Sequence, residues 1–438
     1  MRGAWHHLPR SVHTVMKFLP RREKLRRSTS TASASASAWQ LALFCIVLLS
    51  QGTFACADDE ANATPWQVMP VARLPERLPI SAHSGWAVKT EAAQFESADA
   101  TAVRALSGDW SNYQPRDGRN VALHSTRLEL SASRSRWEVS AALRSDIAIN
   151  GSRGAFDVVH AYKQKREPAS GSEFNLDATE QGVIWAGLRG ARTWVLRPGT
   201  EHGLQLTTAV ALLSVRRIQL TDVSGTVRYN SATGFDFSAQ TTQQDSKVRF
   251  GGYGTPNALG GGYTTDVGLL WQPSARSFVN LSISDAVSRL NVRQVATEQM
   301  GASSTTRLFD SNGYLNYRPL LNGRDSAQDV SLRLVRKTSL SAGTRVDFTN
   351  ATSAVIGARW EHITGINMPS AWAAVPISRG LTLQLDADTR FKSFGVGLSG
   401  RSDAVIGSAI GSVMLRSQSA SVSASRALGW QASLNLPW

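Results

Sequence analysis

The sequence predicts an all-β protein, an antiparallel transmembrane β-barrel of about 14 strands (roughly 12–16), with an N-terminal arm or plug containing a short helix. Three observations lead there. From Val121 onward, short runs alternate apolar and polar side chains and are separated by turn residues, the period-two pattern of half-buried strands. Beyond residue 57 no run approaches the roughly 18 uninterrupted apolar residues of a helical span, so a membrane crossing has to use strands closed into a ring. The closing segment, GWQASLNLPW, puts Trp430, Ala432, Leu434, Leu436 and Trp438 on one face and Gln431, Ser433 and Asn435 on the other.

The first segment, residues 1–57, reads as a secretory signal peptide. Arg2, Arg10, Lys17, Arg21, Arg22, Lys24, Arg26 and Arg27 form a basic region, Trp39 to Leu49 a compact apolar core, and Ala55-Cys56-Ala57 a small-x-small cleavage site. The apolar core is too short to cross a bilayer as a helix, which needs roughly 20 residues. The basic region is longer than usual, and initiation at Met16 is the alternative that shortens it. Cleavage before Cys56, with acylation of that cysteine, is disfavoured because Thr53-Phe54-Ala55 departs from the Leu-small-small such a site shows.

Cutting after Ala57 removes both cysteines, Cys45 and Cys56, which excludes disulfides and thiolate metal sites from the mature chain. The formal charge of +14 falls with the leader, which carries eight of the 47 Lys and Arg residues and one acid, Glu23. The remaining basic excess is scattered, so no nucleic-acid partner is expected.

Residues 58–109 read as the arm or plug. Pro65, Pro70, Pro75 and Pro79 break any strand alternation, and the Ala-rich stretch 89–106 predicts a helix. Residues 110–438 read as the barrel. Trp137, Val139, Ala141 and Leu143 oppose Glu138 and Ser140; Leu204, Leu206, Val210 and Leu212 form a second run. Tyr263, Val267, Leu269 and Trp271 lead through Pro273-Ser274-Ala275-Arg276 to Val279, Leu281 and Ile283. Leu340, Val346 and Phe348 oppose Arg345 and Asp347, and Leu381, Leu383 and Leu385 oppose Gln384 and Asp386. Such runs suit the roughly 9–11 residues of a tilted transmembrane strand. Ser152 predicts the cap of a short helix carrying Phe156, Val159 and Tyr162 in one connection.

Connections look long at residues 240–262 and 286–312 and short at 273–276, yet Lys337-Thr338 and Asn350-Ala351 look tight in succession, which a simple up-and-down barrel does not allow. Trp271, Trp360, Trp430 and Trp438 close alternating runs, where aromatic girdles lie. A secreted sandwich or solenoid also alternates, but has fewer and shorter strands.

No motif carries chemistry. His83, His124, His160, His202 and His362 have no partner at metal-ligand spacing, and His124 and Ser125 point to opposite faces of a strand. The glycine-rich stretch 251–262 lacks the Gly-Lys-Ser/Thr of a phosphate loop and precedes a strand. Asp310-Ser311-Asn312-Gly313 is a turn signal, with its glycine too early for a calcium loop. No cofactor and no enzymatic activity are expected; a rim hydrolase using one of the five histidines is the remote exception.

The segment GGGYTTDVGLLWQPSARSFVNLSISDA (260–286) resembles a hairpin of FadL-like and TraF-like outer-membrane barrels, a glycine-led strand of the type x-D-x-G-L-L-aromatic-x-P followed by a return strand rich in Leu and Ser. The terminal strand, with Trp430, Leu434, Leu436 and Trp438, resembles the assembly signal of bacterial outer-membrane barrels. The resemblance implies an outer-membrane location, a Gram-negative envelope, the barrel-assembly machinery and outer-membrane lipid as partners, and either movement of hydrophobic compounds (FadL-like) or a link to conjugation (TraF-like).

The polar strand faces offer Asp266, Arg333, Arg345, Asp347 and Asp386 as lumen-lining residues, which predicts a wet interior of mixed charge. Two functions stay open: a pore or transport-type barrel for small solutes, and a non-conducting component of a cell-envelope complex. An autotransporter translocator is disfavoured, because little chain precedes the barrel.

Overall fold

The computed structural model describes residues 65–437 apart from residues 71, 81–84, 111, 233, 251, 255–257, 305–306, 310–314, 318–319, 350–351, 379 and 403–408. The leader with Ala55 and Ala57, His83, the Asp310–Gly313 turn signal and Trp438 therefore lie outside or at the edge of the described residues.

In chain order the strands are β1 (Ala87–Ala98), β2 (Arg119–Arg134), β3 (Trp137–Ser152), β4 (Glu173–Arg197), β5 (Gly203–Asn230), β6 (Gly234–Asp245), β7 (Gly260–Ser274) and β8 (Ser277–Ser303). The short pair β9 (Arg307–Phe309) and β10 (Leu315–Tyr317) follows, then β11 (Leu321–Leu332), β12 (Lys337–Thr349), β13 (Thr352–Ile363) and β14 (Ile366–Ser378). The last four are β15 (Leu381–Asp388), β16 (Phe394–Ser402), β17 (Ala409–Ser417) and β18 (Ala427–Pro437); one helix, α1 (Arg153–Gln164), separates β3 from β4.

The sheet closes on itself. β1 pairs antiparallel with β2 on one edge and with β18 on the other, where Ala87 faces Pro437 and Ser97 faces Ala427. Within the ring each strand is paired on both edges, the condition a strand-built membrane protein must meet, while β11, beyond the interruption at 333–336, is paired on one edge only, with β8. The result is a closed antiparallel barrel of 14 strand positions, although its sheet contains 16 strands. The difference has a specific origin. β6 and β7 both run antiparallel to β5 and to β8, and β11 and β12 both run antiparallel to β8. Each pair therefore occupies one wall position as a single interrupted strand. The chain does not reverse at residues 333–336, which is why tight connections follow one another at 337 and 350.

Strand faces are inverted relative to a water-soluble protein. Leu128, Leu130, Leu143, Leu188, Val210, Leu212, Phe394, Val396 and Leu415 are exposed, whereas Arg127, Arg144, Arg189, Arg359, Glu361, Asp266 and Asp386 are buried. Along β2, for example, Leu128 and Leu130 point out while Arg127 points in, a consequence of period-two geometry. An outward apolar band and a polar interior define a transmembrane barrel.

Two expectations are corrected. Residues 89–106 do not form one helix: β1 occupies Ala87–Ala98, so the barrel starts there and the arm is correspondingly shorter, and only Val103–Ala105 make a short 3-10 turn. Ala, Glu and Gln favour helix intrinsically, but pairing along both edges with β2 and β18 satisfies this segment's backbone and overrides the preference. Residues 286–303 are not a loop either; β8 and β5 run on for 27 and 28 residues and carry the wall beyond the membrane band.

The helix predicted after Ser152 is present. The Ser152 hydroxyl accepts from the Ala155 amide, and Lys165 in the left-handed region ends the helix. α1 packs Ala155 and Val158 against Leu176, Val223, Val227 and Ala239, on the face of β4 that carries Leu188 lower down. Gly154 permits the approach, because an added Cβ would lie 2.8 Å from the Asn175 nitrogen.

Candidate functional site

The arm, residues 65–80, lies inside the barrel. Starting near Phe278 and Trp372, with which Trp66, Val68 and Met69 pack, it rises to Leu74 beside Phe95, Ile363 and Met368. It then returns, so that Arg77 reaches Asp266 and the Ile80 amide donates to the Thr193 hydroxyl at 2.9 Å. Prolines at 70, 75 and 79 suit this path, since each removes an amide that the lumen would otherwise have to satisfy. The remaining backbone groups are taken by wall side chains. Glu361 accepts from the Leu74 amide at 2.9 Å and Ser282 from the Arg77 amide at 2.7 Å. Ser284 donates to the Pro75 carbonyl at 3.0 Å, and Arg359 donates to the Pro70 carbonyl.

Three charged arm residues are matched by the wall. Arg73 pairs with Glu361 at 2.5 Å and Asp388 at 3.0 Å, both fully enclosed. Arg77 pairs with Asp266 at 2.8 Å. Glu76 lies 3.7 Å from Arg359, and its Oε1 accepts from Asn280, Ser339 and Ser341 at 3.0–3.3 Å. Around them, Arg189 bridges Glu129 at 2.5 Å and Asp266 at 3.6 Å, and Arg416 stands 3.4 Å from Asp386. Buried charges persist only when paired in this way.

A second charged cluster lies beside the first. Arg144 and Lys337 each contact both Asp146 and Asp285 at 2.9–3.1 Å. Ser125 donates to Asp146 at 2.7 Å and Thr264 to Asp285 at 3.0 Å, and the Arg144 guanidinium stacks over Trp185 with its carbon 5.2 Å from the ring centre. Asp285 has φ 58°, a local kink of β8 opposite the interruption between β11 and β12.

Toward the long-loop end, these charges give way to an apolar pocket. Leu74 supplies its floor, and Phe95, Leu123, Ala148, Val183, Leu334 and Ile363 its walls. Asp146, Lys337, Ser125 and Gln181 reach its edge. Leu334 and Val335 bend into it at the wall interruption: the Leu334 amide donates to Ser288 at 2.9 Å, and Gln181 donates to the Arg333 carbonyl at 2.8 Å.

The lumen candidates separate into three places. Asp266 and Asp386 sit in the charged layer around the arm. Arg333 is exposed at the wall interruption. Arg345 and Asp347 lie at the short-turn mouth, where the Arg345 amide donates to the Arg276 carbonyl and Asp347 pairs with Arg276 at 3.0 Å. Sequence reasoning missed Arg73, Glu76 and Arg77 of the arm, and Glu129, Arg144, Asp146, Asp285, Lys337, Arg359 and Glu361 of the wall. Their signal was present: Arg127 with Glu129, and Arg144 with Asp146, share the face opposite Leu128 and Leu143. The interior is of mixed charge at the level of the arm, and apolar side chains line the next level.

His124 and Ser125 do face opposite ways: His124 contacts Glu96 at 2.9 Å on the outer face, while Ser125 serves Asp146 inside. His160 stacks on Tyr113 at 4.1 Å, and His362 lies 2.8 Å from Asn367. These three histidines occupy three separate elements.

The fold and lumen together define a closed transmembrane-type β-barrel with an internal N-terminal arm. Its architecture is similar to that of FadL-like barrels in solved structures. These include the Pseudomonas putida toluene transporter TodX (10% identity, TM-score 0.37, covering 82% of this chain and 91% of that one). The Ralstonia pickettii toluene transporter TbuX is another (7%, TM-score 0.39, 81% and 90%), as is a Pseudomonas aeruginosa FadL homologue (9%, TM-score 0.35, 81% and 90%). At such low identity and TM-score, none of them says what this barrel carries. No family model and no curated protein matches the chain.

Proposed function

We propose that the protein is an outer-membrane transport barrel for small apolar solutes, gated by its own arm. The observation that carries this reading is the largely apolar lining of the pocket beside the arm, to which Leu74 of the arm contributes together with Phe95, Leu123, Ala148, Val183 and Ile363 of the wall. A soluble apolar molecule gains about 25 cal/mol for each Å² it removes from water, so a greasy cup above a charged plug collects such molecules and excludes ions. In this reading the chain is exported through its signal peptide, and the short turns, the start of β1 and the end of β18 face the periplasm. A bound solute leaves the pocket only when the arm yields below it or when residues 333–336 yield beside it.

The test is entry of the apolar dye N-phenyl-1-naphthylamine into cells expressing the barrel, compared with cells lacking it. Wild-type protein is expected to speed entry, and Ala148→Trp, which fills the pocket, to abolish the gain while the barrel keeps its heat-dependent gel shift. Equal dye entry with and without the barrel overturns the reading and favours a non-conducting envelope component.

A further inference from the structure

Every arginine of the arm-contacting layer has a carboxylate partner, but two on the outer surface have aromatic partners instead. Arg192 lies between two indoles, its guanidinium carbon 4.5 Å from the ring centre of Trp137 and 3.7 Å from that of Trp194. Arg134 stands 5.8 Å from the ring centre of Trp86. Strand register puts Arg134, Trp137 and Arg192 in one row, since Arg134 faces Trp137 across β2–β3 and Trp137 faces Arg192 across β3–β4, and Trp194 follows two residues on along the same face of β4. Trp86, Trp137 and Trp194 are 53%, 54% and 42% exposed.

The row lies on the lipid-facing side. Arg134 shares its face of β2 with Leu128 and Leu130, and Arg192 shares its face of β4 with Leu188. The next acid along β3, Glu138, points the other way, toward the lumen, by alternation. Neither Arg134 nor Arg192 is paired with a carboxylate among the described residues. Its height is set by the Ser135-Arg136 turn, where both residues have positive φ and β2 reverses tightly into β3. This is the short-turn end of the barrel.

We infer that this Trp–Arg row is a binding site for the phosphate of an anionic phospholipid in the inner leaflet of the membrane. A guanidinium stacked flat on an indole keeps its edge N–H groups free, and that edge is the fork that matches two phosphate oxygens. Tryptophan rings favour the headgroup level, so they hold the two cations at the depth of the phosphates. Opposite charge at that depth, with no acid on the same face to compete, selects anionic over zwitterionic headgroups. The site rests on the barrel standing in a bilayer with its short turns at the inner leaflet.

The test is native mass spectrometry of the mature barrel released from detergent with added phosphatidylglycerol, phosphatidylcholine or lipopolysaccharide, beside an SDS gel shift that reports the intact barrel. Wild-type protein is expected to retain phosphatidylglycerol over phosphatidylcholine. Arg134→Gln/Arg192→Gln is expected to weaken that retention by roughly five-fold for each arginine, with the gel shift unchanged. Arg192→Lys, which keeps the charge and loses the flat fork, is expected to fall between them. Equal retention by wild type and the double variant overturns the site, as does wild-type indifference to headgroup charge. Loss of lipopolysaccharide with phosphatidylglycerol retained overturns the inner-leaflet assignment. Absence of any gel shift in the wild type removes the membrane-barrel reading itself, a failure distinct from these.

Discussion

Arg73 and Glu361 meet at 2.5 Å inside the barrel although 288 positions separate them in the chain. Arg73 belongs to the arm and Glu361 to β13, and Glu361 also accepts from the neighbouring Leu74 amide. One wall carboxylate thus holds both the charge and the backbone of the arm at its highest point.

Removing that carboxylate should free the arm. Glu361→Ala leaves Arg73 with Asp388 alone in an enclosed site, and breaking a buried pair typically costs about 3–5 kcal/mol. The expected outcome is current openings in planar bilayers where the wild type stays closed. Arg73→Met/Glu361→Met, which removes both charges and keeps volume, should return the closed state. A silent Glu361→Ala would mean that the remaining arm contacts suffice.

Trp372 fixes a second expectation. Its indole lies over Gly343 and Gly357, which face each other across β12 and β13, and it stacks on Phe278 with ring centres 6.1 Å apart. A Cβ added at Gly343 would stand 2.7 Å from Trp372 Cη2 and 2.8 Å from Phe278 Cε1. Gly343→Ala should therefore lower the temperature at which the barrel unfolds in SDS, with an overpacking cost of about 1–3 kcal/mol. Pairing it with Trp372→Leu should recover most of the loss.

The contact between α1 and the 99–118 connection should depend on pH. His160 stacks on Tyr113, which donates to Asp157 at 2.7 Å. Burial holds the imidazole below its ordinary value, outweighing Asp157, which favours the charged form, while Arg166 disfavours it. A lowered folded pKa means that the unfolded chain binds more protons between that pKa and the ordinary value of 6.5. The stabilisation is complete above that ordinary value and is lost as pH falls through the window to the folded pKa. Protection of the α1 amides, taken relative to their intrinsic exchange rate at each pH, should fall as pH is lowered below the ordinary histidine value of 6.5, and His160→Gln should flatten the change.

Legibility followed the range of the interactions. The 260–286 hairpin was readable because β7, its turn and the start of β8 are adjacent in sequence and patterned by one lipid boundary. The capped helix after Ser152 was readable for the same reason, its signal lying within a few residues. β1 was not: its outward residues, Val88, Thr90, Ala92 and Gln94, carry little hydrophobic contrast, so period two was faint and Ala-rich composition dominated. The arm's place in the lumen was not readable either. Leu74, Glu76 and Arg77 acquire meaning only from Glu361, Arg359 and Asp266, each far along the chain. Arg333 stays exposed: an interrupted strand looks like a turn in sequence, while in space it lets only Leu334 and Val335 dip inward.

The arm's position also constrains how the molecule can be built. Its partners Glu361 and Asp388 lie on β13 and β15, made long after the arm itself, and the sheet closes where β18 meets β1. Until then the arm has charges without counterparts and a wall with a gap. Docking before the β1–β18 seam forms allows the strands to assemble around a guide carried by the chain's own leading end. Docking afterwards requires Arg73, Glu76 and Arg77 to shed water while entering a closed tube. The seam is then a point of commitment: whichever register the arm holds when β18 pairs with β1 is the one the finished barrel keeps.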